Sequence, residues 1–164
     1  MNENTQNISI RQAVNTDLPK LAEFLQHLVH AERPFDVTLK EGEIFYYSIE
    51  DFISDPKSEL LVIDFNNQII GCGYAQIRQA KPYQKHDFFG YLGFMFVDPE
   101  FRGKGLNNLL IDHLKKWVLS QGITEVRLDV YHENEAAVNA YKKAGFEPIL
   151  TTMRCDISEM DDTI

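Results

Sequence analysis

Apolar and polar residues alternate in three segments of the first half of the chain, and this pattern predicts β-strands. The segments are residues 8–14, 60–65 and 68–79. Side chains alternate across a strand, so each segment can turn one apolar face toward a core. Asn66 and Asn67 separate the second segment from the third, and asparagine tolerates the left-handed backbone of a tight turn. The second and third segments therefore predict a β-hairpin.

Apolar residues at helical spacing predict four helices. The predicted helices cover residues 18–28, 46–54, 106–121 and 135–144. Thr16 and Asn134 are suitable N-caps for the first and the fourth, because their side-chain oxygens can accept from free backbone N–H groups. Gly122 and Gly145 follow the third and the fourth, where glycine commonly ends a helix.

Three further apolar segments complete the order of elements. Strands are predicted over residues 88–97 and 123–131, and residues 146–157 supply one or two more. The resulting order is β-α-α-β-β-β-α-β-α-β-β, in which the last segment counts as two strands and would equally fit one. This order predicts one mixed α/β domain over residues 1–164, with a sheet of six to seven strands, about four helices and an ordered core over about residues 8–157.

Composition narrows the class of protein. The formal net charge of −9 argues against general nucleic-acid binding, because no basic face offsets phosphates. No apolar run approaches the roughly 20 residues of a membrane helix, and the start of the chain lacks the pattern of a signal peptide. A cytoplasmic protein without a membrane partner is expected. Cys72 and Cys155 lie in strand-like segments and are expected to be buried free thiols.

A glycine-containing loop precedes the third predicted helix and is the most informative segment. Gly103 and Gly105 lie between a strand that ends near Val97 and the helix that starts at Leu106. The free N–H groups and the dipole of a helix start attract anions. Glycine lets the backbone approach an anion closely, because no Cβ intervenes. The loop therefore predicts a phosphate-binding site.

Two motifs in the second half resemble those of the GNAT superfamily of acyl-CoA-dependent N-acetyltransferases. The first signature, Gln/Arg-x-x-Gly-x-Gly/Ala, corresponds to residues 102–107, where Arg102 and Gly105 match and Asn107 replaces a small residue. The second is a strand, an asparagine, a helix with a tyrosine, and Gly-Phe, and it corresponds to residues 128–146. The resemblance implies a mostly antiparallel mixed sheet and acetyl-CoA as acyl donor, without a metal.

The resemblance also implies which residues hold acetyl-CoA. The backbone of Met95, Phe96 and Val97 would bind the pantetheine and the acetyl carbonyl. Backbone amides of the loop would hold the pyrophosphate, and these belong to Arg102, Gly103, Lys104, Gly105, Leu106, Asn107 and Asn108. Asn134 and Tyr141 lie two helical turns apart on one face, about 10 Å along the axis. Asn134 is expected to contact the middle of the cofactor as well as to cap its helix, and Tyr141 to reach the sulfur.

Acetyl transfer to an amine needs a base for the amine proton and an acid for the departing thiolate. Asp129 matches a position where this superfamily often has a catalytic glutamate, so it is the candidate base; pairing with Arg127 or with a neighbouring strand is the alternative. His132 is the second candidate base. The resemblance implies that Tyr141 is the acid, and a core tyrosine against Phe146 is the alternative.

The acceptor side is less defined by the sequence. Residues 33–47 are acidic and aromatic and include Phe35 and Tyr46, which would suit an ammonium group or form an ordinary solvated loop over core rings. Tyr91 is expected to contact substrate or to pack. The acceptor is predicted to be the primary amine of a small molecule or a peptide, of unknown identity. Many members of the superfamily dimerise, so a homodimer is one state that the resemblance allows.

Two other functions compete with an enzyme. Residues 103–108 nearly match the Gly-x-Gly-x-x-Gly of dinucleotide-binding folds, but the third glycine is absent and the motif follows four strands rather than one. A non-catalytic acyl-CoA-binding module on the same fold is the other alternative, because backbone alone can hold the cofactor. A metal site at Glu23, His27 and His30 is weakly supported, since no fourth ligand is evident.

Overall fold

The computed structural model describes residues 8–160, and these form five strands and four α-helices. The strands are β1 (Ile8–Gln12), β2 (Ser58–Phe65), β3 (Gln68–Gln79), β4 (Phe88–Val97) and β5 (Val126–Leu128). The helices are α1 (Leu18–Glu32), α2 (Ile49–Ser54), α3 (Leu106–Ser120) and α4 (Glu135–Lys143). Short 3-10 helices cover Asn15–Asp17, Arg33–Phe35 and Pro99–Phe101.

The five strands form one mixed sheet in the order β1-β2-β3-β4-β5. Neighbours from β1 to β4 are antiparallel, and β4 pairs with β5 in parallel. Asn66 and Asn67 both have positive φ in the β2–β3 turn, as the hairpin prediction requires. The predicted fold class, a mostly antiparallel mixed sheet with four helices, is confirmed, with five strands in the described residues instead of six to seven.

Two apolar clusters cover the two faces of the sheet. On one face, α1 and α2 contribute side chains such as Phe24, Leu25 and Phe52. On the other, α3 contributes Leu110, Leu114 and others of its buried stripe. Helices α1, α2 and α3 thus each bury a stripe of apolar side chains, at the spacing that the sequence shows. Together they cover both faces of the sheet.

The last predicted strands are absent from the described part of the chain. Residues 147–157 adopt no strand there, Ile149, Leu150 and Met153 are largely exposed, and Cys155 is exposed instead of buried. Alternation of apolar and polar residues is not sufficient for a strand, because a neighbouring strand edge must also be present to pair with it. Strand β5 covers three residues instead of the predicted 123–131 and leaves little edge to pair with.

One cap and one helix start differ from prediction. The N-cap of α1 is Asp17 rather than Thr16, after the 3-10 turn. Helix α2 begins at Ile49 instead of residue 46, because the Ser48 side chain accepts a hydrogen bond from the Asp51 N–H and caps the helix there. The shifts are one residue for the cap of α1 and three residues for the start of α2, both within the usual variation of helix ends.

An ion-pair network ties β1 to the start of α1 and to β2. Asp17 accepts hydrogen bonds from both Nη groups of Arg11, at 2.8 and 3.0 Å, and from the Val14 N–H at 2.9 Å. Arg11 Nε also donates to Asp64 at 3.2 Å. The hydrogen bonds from Arg11 hold the pKa of Asp17 below its usual value, although burial opposes them.

The Asp17→Asn variant should lose about 1–3 kcal/mol of unfolding free energy at pH 7, because Arg11 loses its two charged hydrogen bonds to Asp17 and keeps only Asp64 as a charged partner. A lowered folded-state pKa means that Asp17 stabilises the fold above the pKa of the unfolded chain, and that this is lost as pH falls through the folded value. The difference from wild type should therefore shrink below about pH 4. Denaturant unfolding at pH 7 and pH 3 measures this, with the exposed Asp112→Asn as control. Equal destabilisation at both pH values would contradict it.

In residues 8–160, no helix is long and apolar enough to cross a membrane.

Candidate active site

Strands β4 and β5 pair over three residues and then separate. Gly90, Tyr91 and Leu92 pair with Val126–Leu128, and β5 ends there while β4 continues to Val97. Within residues 8–160, the edge of β4 that faces β5 therefore has no strand partner from Gly93 onward. Backbone N–H and C=O groups on such an edge are free to bind an extended ligand.

A β-bulge lies at the point of separation. The β3–β4 register shifts between Cys72 and Tyr74, and Phe94 has a φ of +53°, which is uncommon for a side chain of that size. Glycine at 93 is needed, because a Cβ there would lie 2.6 Å from the Tyr74 hydroxyl oxygen. The bulge re-aims the backbone of Met95, Phe96 and Val97, the three residues predicted to contact the cofactor.

The glycine loop leads directly into the start of α3. Gly103 and Gly105 have φ of +75° and +76°, and a Cβ at either would meet nothing within 4 Å. The backbone conformation, and not a lack of space for a side chain, therefore favours glycine at both positions. Gly105 is the N-cap residue of α3, and within the described residues no side chain caps this helix start. The first N–H groups of α3 are therefore available to an anion.

The other loop residues have distinct surroundings. Arg102 Nε donates to the Val97 carbonyl at 2.8 Å, which ties the loop to β4. The Lys104 ammonium lies 5.2 Å from the Phe101 ring centroid. Leu106 is buried, Asn107 is half-buried and Asn108 is exposed. Leu106 can therefore offer only its N–H to a ligand, while Arg102 also has a structural role that the sequence did not show.

Helix α4 holds the two predicted residues of the second motif. Asn134 is its N-cap and accepts from the Ala137 N–H at 3.2 Å, as predicted. The Tyr141 ring packs edge-on against Phe146, with centroids 6.0 Å apart. Burial, and then the charge of Glu32, raise the pKa of Tyr141 to about 12. Tyr141 is thus protonated at neutral pH, and it lies close enough to Glu32 of α1 for the charge of that carboxylate to affect its pKa.

Asp129 follows β5 and is bound by a residue of β4. The Tyr91 hydroxyl donates to Asp129 Oδ2 at 3.0 Å, while Arg127 instead pairs with Glu125 at 3.0 Å. Burial, followed by the charge of Asp129, raises the pKa of Tyr91. Of the two alternative partners for Asp129, the structure shows the neighbouring strand. His132 is exposed.

The segment after α1 contributes carboxylates and rings. The Tyr46 hydroxyl donates to Glu32 Oε2 at 2.8 Å, and the Tyr131 hydroxyl donates to Asp36 Oδ2 at 3.0 Å. The rings of Phe35 and Tyr131 are stacked, with centroids 6.3 Å apart. Burial raises the pKa of the half-buried Glu32, which the Tyr46 hydrogen bond opposes. The predicted residues Phe35 and Tyr46 therefore lie in an acidic, aromatic surface.

Sequence reasoning missed Glu32 and assigned no role to Tyr131. Glu32 follows Leu25 by seven residues and Val29 by three, so it continues the apolar stripe of α1. A carboxylate on an apolar stripe is a signal that could have identified it. Residues 8–160 contain no cluster of three or more histidine, cysteine or acidic side chains suited to a metal ion, and Glu23, His27 and His30, which the sequence supported only weakly for lack of a fourth ligand, form none.

Comparisons with known proteins place these features in context. A sequence profile of the acetyltransferase (GNAT) family matches residues 22–146. An acetyltransferase of Pectobacterium atrosepticum is 29% identical over 101 residues, which are 62% of this chain and 66% of that protein. The match thus spans slightly less than two thirds of that relative.

Solved structures show the same fold. A mutant of the BH1408 protein from Bacillus halodurans superposes with a TM-score of 0.82 at 20% identity, over 90% of this chain and 98% of that one. A predicted acetyltransferase from Clostridium acetobutylicum, solved with acetyl-CoA, gives a TM-score of 0.71 at 19% identity, over 93% and 98%. At these identities the likeness concerns the fold alone.

Proposed function

The chain belongs to the acetyltransferase (GNAT) family, and we propose that it transfers an acetyl group from acetyl-CoA to a primary amine of a small molecule or a peptide. One observation carries the proposal above the others. The unpaired edge of β4 continues into a glycine loop and an uncapped helix start. An extended chain of amides that ends in phosphates fits this combination, because the edge offers amide partners and the helix start offers N–H groups.

The residues of the chain fit acetyl-CoA at both ends. Backbone groups of Met95, Phe96 and Val97 would hold its pantetheine, and the amides of residues 102–108 would hold its pyrophosphate. Asn134 would contact the middle of the molecule. Acetyl-CoA supplies the acetyl group as a reactive thioester. The Clostridium protein of the same fold, solved with acetyl-CoA, supports this choice of donor.

The proposed reaction is direct attack of the amine on the acetyl carbonyl. Asp129 accepts the proton of the attacking amine, directly or through water, while the Tyr91 hydrogen bond orients its carboxylate. Backbone N–H groups near Phe96 stabilise the negative charge that develops on the carbonyl oxygen. Tyr141 donates its proton to the sulfur as the carbon–sulfur bond breaks, so that CoA leaves as a neutral thiol. A covalent enzyme intermediate is not required: Cys72 is buried, its Sγ donates to the Phe94 carbonyl at 3.6 Å, and burial raises its pKa.

Parallel calorimetric titrations with acetyl-CoA, NAD and ATP test the donor assignment. Saturable binding of acetyl-CoA, with neither nucleotide binding comparably, is expected. Preferential binding of NAD would favour a dinucleotide-binding protein and contradict the proposal.

The Gly105→Ala variant should bind acetyl-CoA about tenfold more weakly, because alanine at a φ of +76° costs about 1–2 kcal/mol and shifts the loop. Gly122→Ala is a matched control, since Gly122 has a φ of +77°, equally open surroundings, and lies at the other end of α3. Both variants should lose similar unfolding free energy, and only Gly105→Ala should raise the Kd of acetyl-CoA. An equal effect on both Kd values would mean that the loop does not bind the donor.

A further inference from the structure

A cavity of about 270 Å³ lies between α2 and β3, and Arg78, whose guanidinium stacks on the Tyr91 ring, lines it. Its apolar wall consists of the rings of Tyr47, Phe52 and Tyr74, of which the last two stack with centroids 4.0 Å apart. The volume corresponds to roughly nine water molecules at about 30 Å³ each. The cavity can therefore bind a small organic group, and the polar side chains that line it determine the chemical class of that group.

Arg78 provides the positive charge of this cavity and is held in place from two sides. Its Nε donates to Gln76 Oε1 at 3.0 Å. Its guanidinium carbon lies 3.6 Å from the centroid of the Tyr91 ring, a close cation–π contact. The side chain is half-buried. A stacked guanidinium loses little freedom when it binds, and its Nη groups present a fork that matches a carboxylate or a phosphate.

The charge of Arg78 is not neutralised by an ion pair with any side chain of residues 8–160. Two carboxylates line the cavity with it. Asp55 already accepts from the Lys57 N–H and the Ser58 hydroxyl, both at 2.9 Å. Asp51 is exposed at the α2 rim. Asp129, which does not line the cavity, accepts from the Tyr91 hydroxyl.

We propose that Arg78 binds an anionic group of the acceptor, so that the enzyme acetylates primary amines that also carry a carboxylate or a phosphate. Tyr91 links the two ends of such a molecule: its ring face lies under Arg78, and its hydroxyl lies against Asp129. An acceptor with its anion at Arg78 can therefore present its amine to Asp129 when a short linker joins the two groups. The inference rests on the proposed function, because it specifies the acceptor of that reaction.

Two pairs of amines, matched except for the anion, test the inference in a thiol-release assay. Ethanolamine is compared with phosphoethanolamine, and propylamine with β-alanine, which separates phosphate from carboxylate recognition. Wild type should prefer the anionic member of at least one pair by about tenfold or more in kcat/KM. The Arg78→Gln variant should reduce this preference to within about twofold, and Arg78→Lys should keep part of it.

Arg127→Gln is the matched control, because Arg127 also stacks on a ring, at 4.6 Å from the Phe89 centroid, but pairs with Glu125 and lies outside the cavity. It should keep the wild-type preference. Thermal unfolding checks each variant, and Arg78→Lys decides the matter if Arg78→Gln does not fold. A preference that is absent in wild type, or that survives in both Arg78 variants, overturns the inference.

Equilibrium titration of the same four amines, in the presence of CoA, separates failure of the inference from failure of the proposed function. Binding of an anionic amine that depends on Arg78, without any acetylated product, would support the anion site and contradict the transferase. Turnover whose kcat/KM depends neither on the anion of the amine nor on Arg78 would support the transferase and overturn the anion site. Absence of both binding and turnover in every pair also overturns the anion site.

Discussion

Replacing Tyr141 with phenylalanine should lower kcat by about a hundredfold or more, while the Kd of acetyl-CoA changes little. The hydroxyl carries its proton at neutral pH and is the donor that the proposed reaction places at the departing sulfur, although burial raises its pKa to about 12 and so makes it a weaker acid than an ordinary tyrosine. The variant keeps the ring that packs against Phe146, and the fold should therefore be unaffected. Steady-state kinetics and calorimetry measure the two parameters separately.

The control for this variant is Tyr83→Phe, which removes the hydroxyl of a largely exposed tyrosine in the loop before β4. It should leave kcat unchanged. A raised pKa also predicts that ionisation of Tyr141 causes no fall in the wild-type kcat at about pH 10, where an ordinary tyrosine is half ionised. If Tyr141→Phe turned over at the wild-type rate, its role as the acid would be wrong, and Tyr141 would be a core residue.

The Asp129→Asn variant should lower kcat/KM by about a hundredfold and change the shape of its pH profile, because the amine then loses its proton acceptor. The asparagine can still accept the hydrogen bond from Tyr91, so the local geometry is kept. Tyr91→Phe is the matched control, since it retains the carboxylate and removes only the bond that orients it. We expect a loss of about tenfold or less for that variant.

Glu32→Gln tests a further candidate base, which the structure adds to Asp129 and His132. Glu32 is half-buried, and burial raises its pKa toward the range in which a carboxylate accepts a proton efficiently. A pH profile that stays intact in Asp129→Asn but changes in Glu32→Gln would transfer the role of the base to Glu32.

The sequence predicted features that depend on local chemistry. Glycines at 103 and 105, the asparagine cap at 134 and the hairpin at Asn66 and Asn67 each need only neighbouring residues to form. The order of the elements and the mixed sheet followed from periodicity, because each apolar stripe needs a partner layer. The glycine loop before α3, the cap of α4 and the hairpin turn could therefore be predicted from the sequence alone.

Features that depend on residues distant in sequence could not be predicted in this way. The Tyr131–Asp36 hydrogen bond joins positions 95 residues apart, and the Tyr91–Asp129 bond joins positions 38 apart. The stacking of Arg78 on Tyr91 depends on the register of β3 against β4. Strand pairing is equally non-local, which is why alternation in residues 146–157 predicted strands that the described residues do not form.

The central claim is transfer of an acetyl group to an amine without an enzyme-bound intermediate. A single-turnover experiment with enzyme in excess over acetyl-CoA labelled in its acetyl group, followed by mass spectrometry of the protein and of the small molecules, tests it most directly. We expect the label to move to the amine as CoA thiol appears, and we expect no label on the protein. Label that remains on CoA with every amine tested would indicate a binding module, and label on the protein would contradict direct attack.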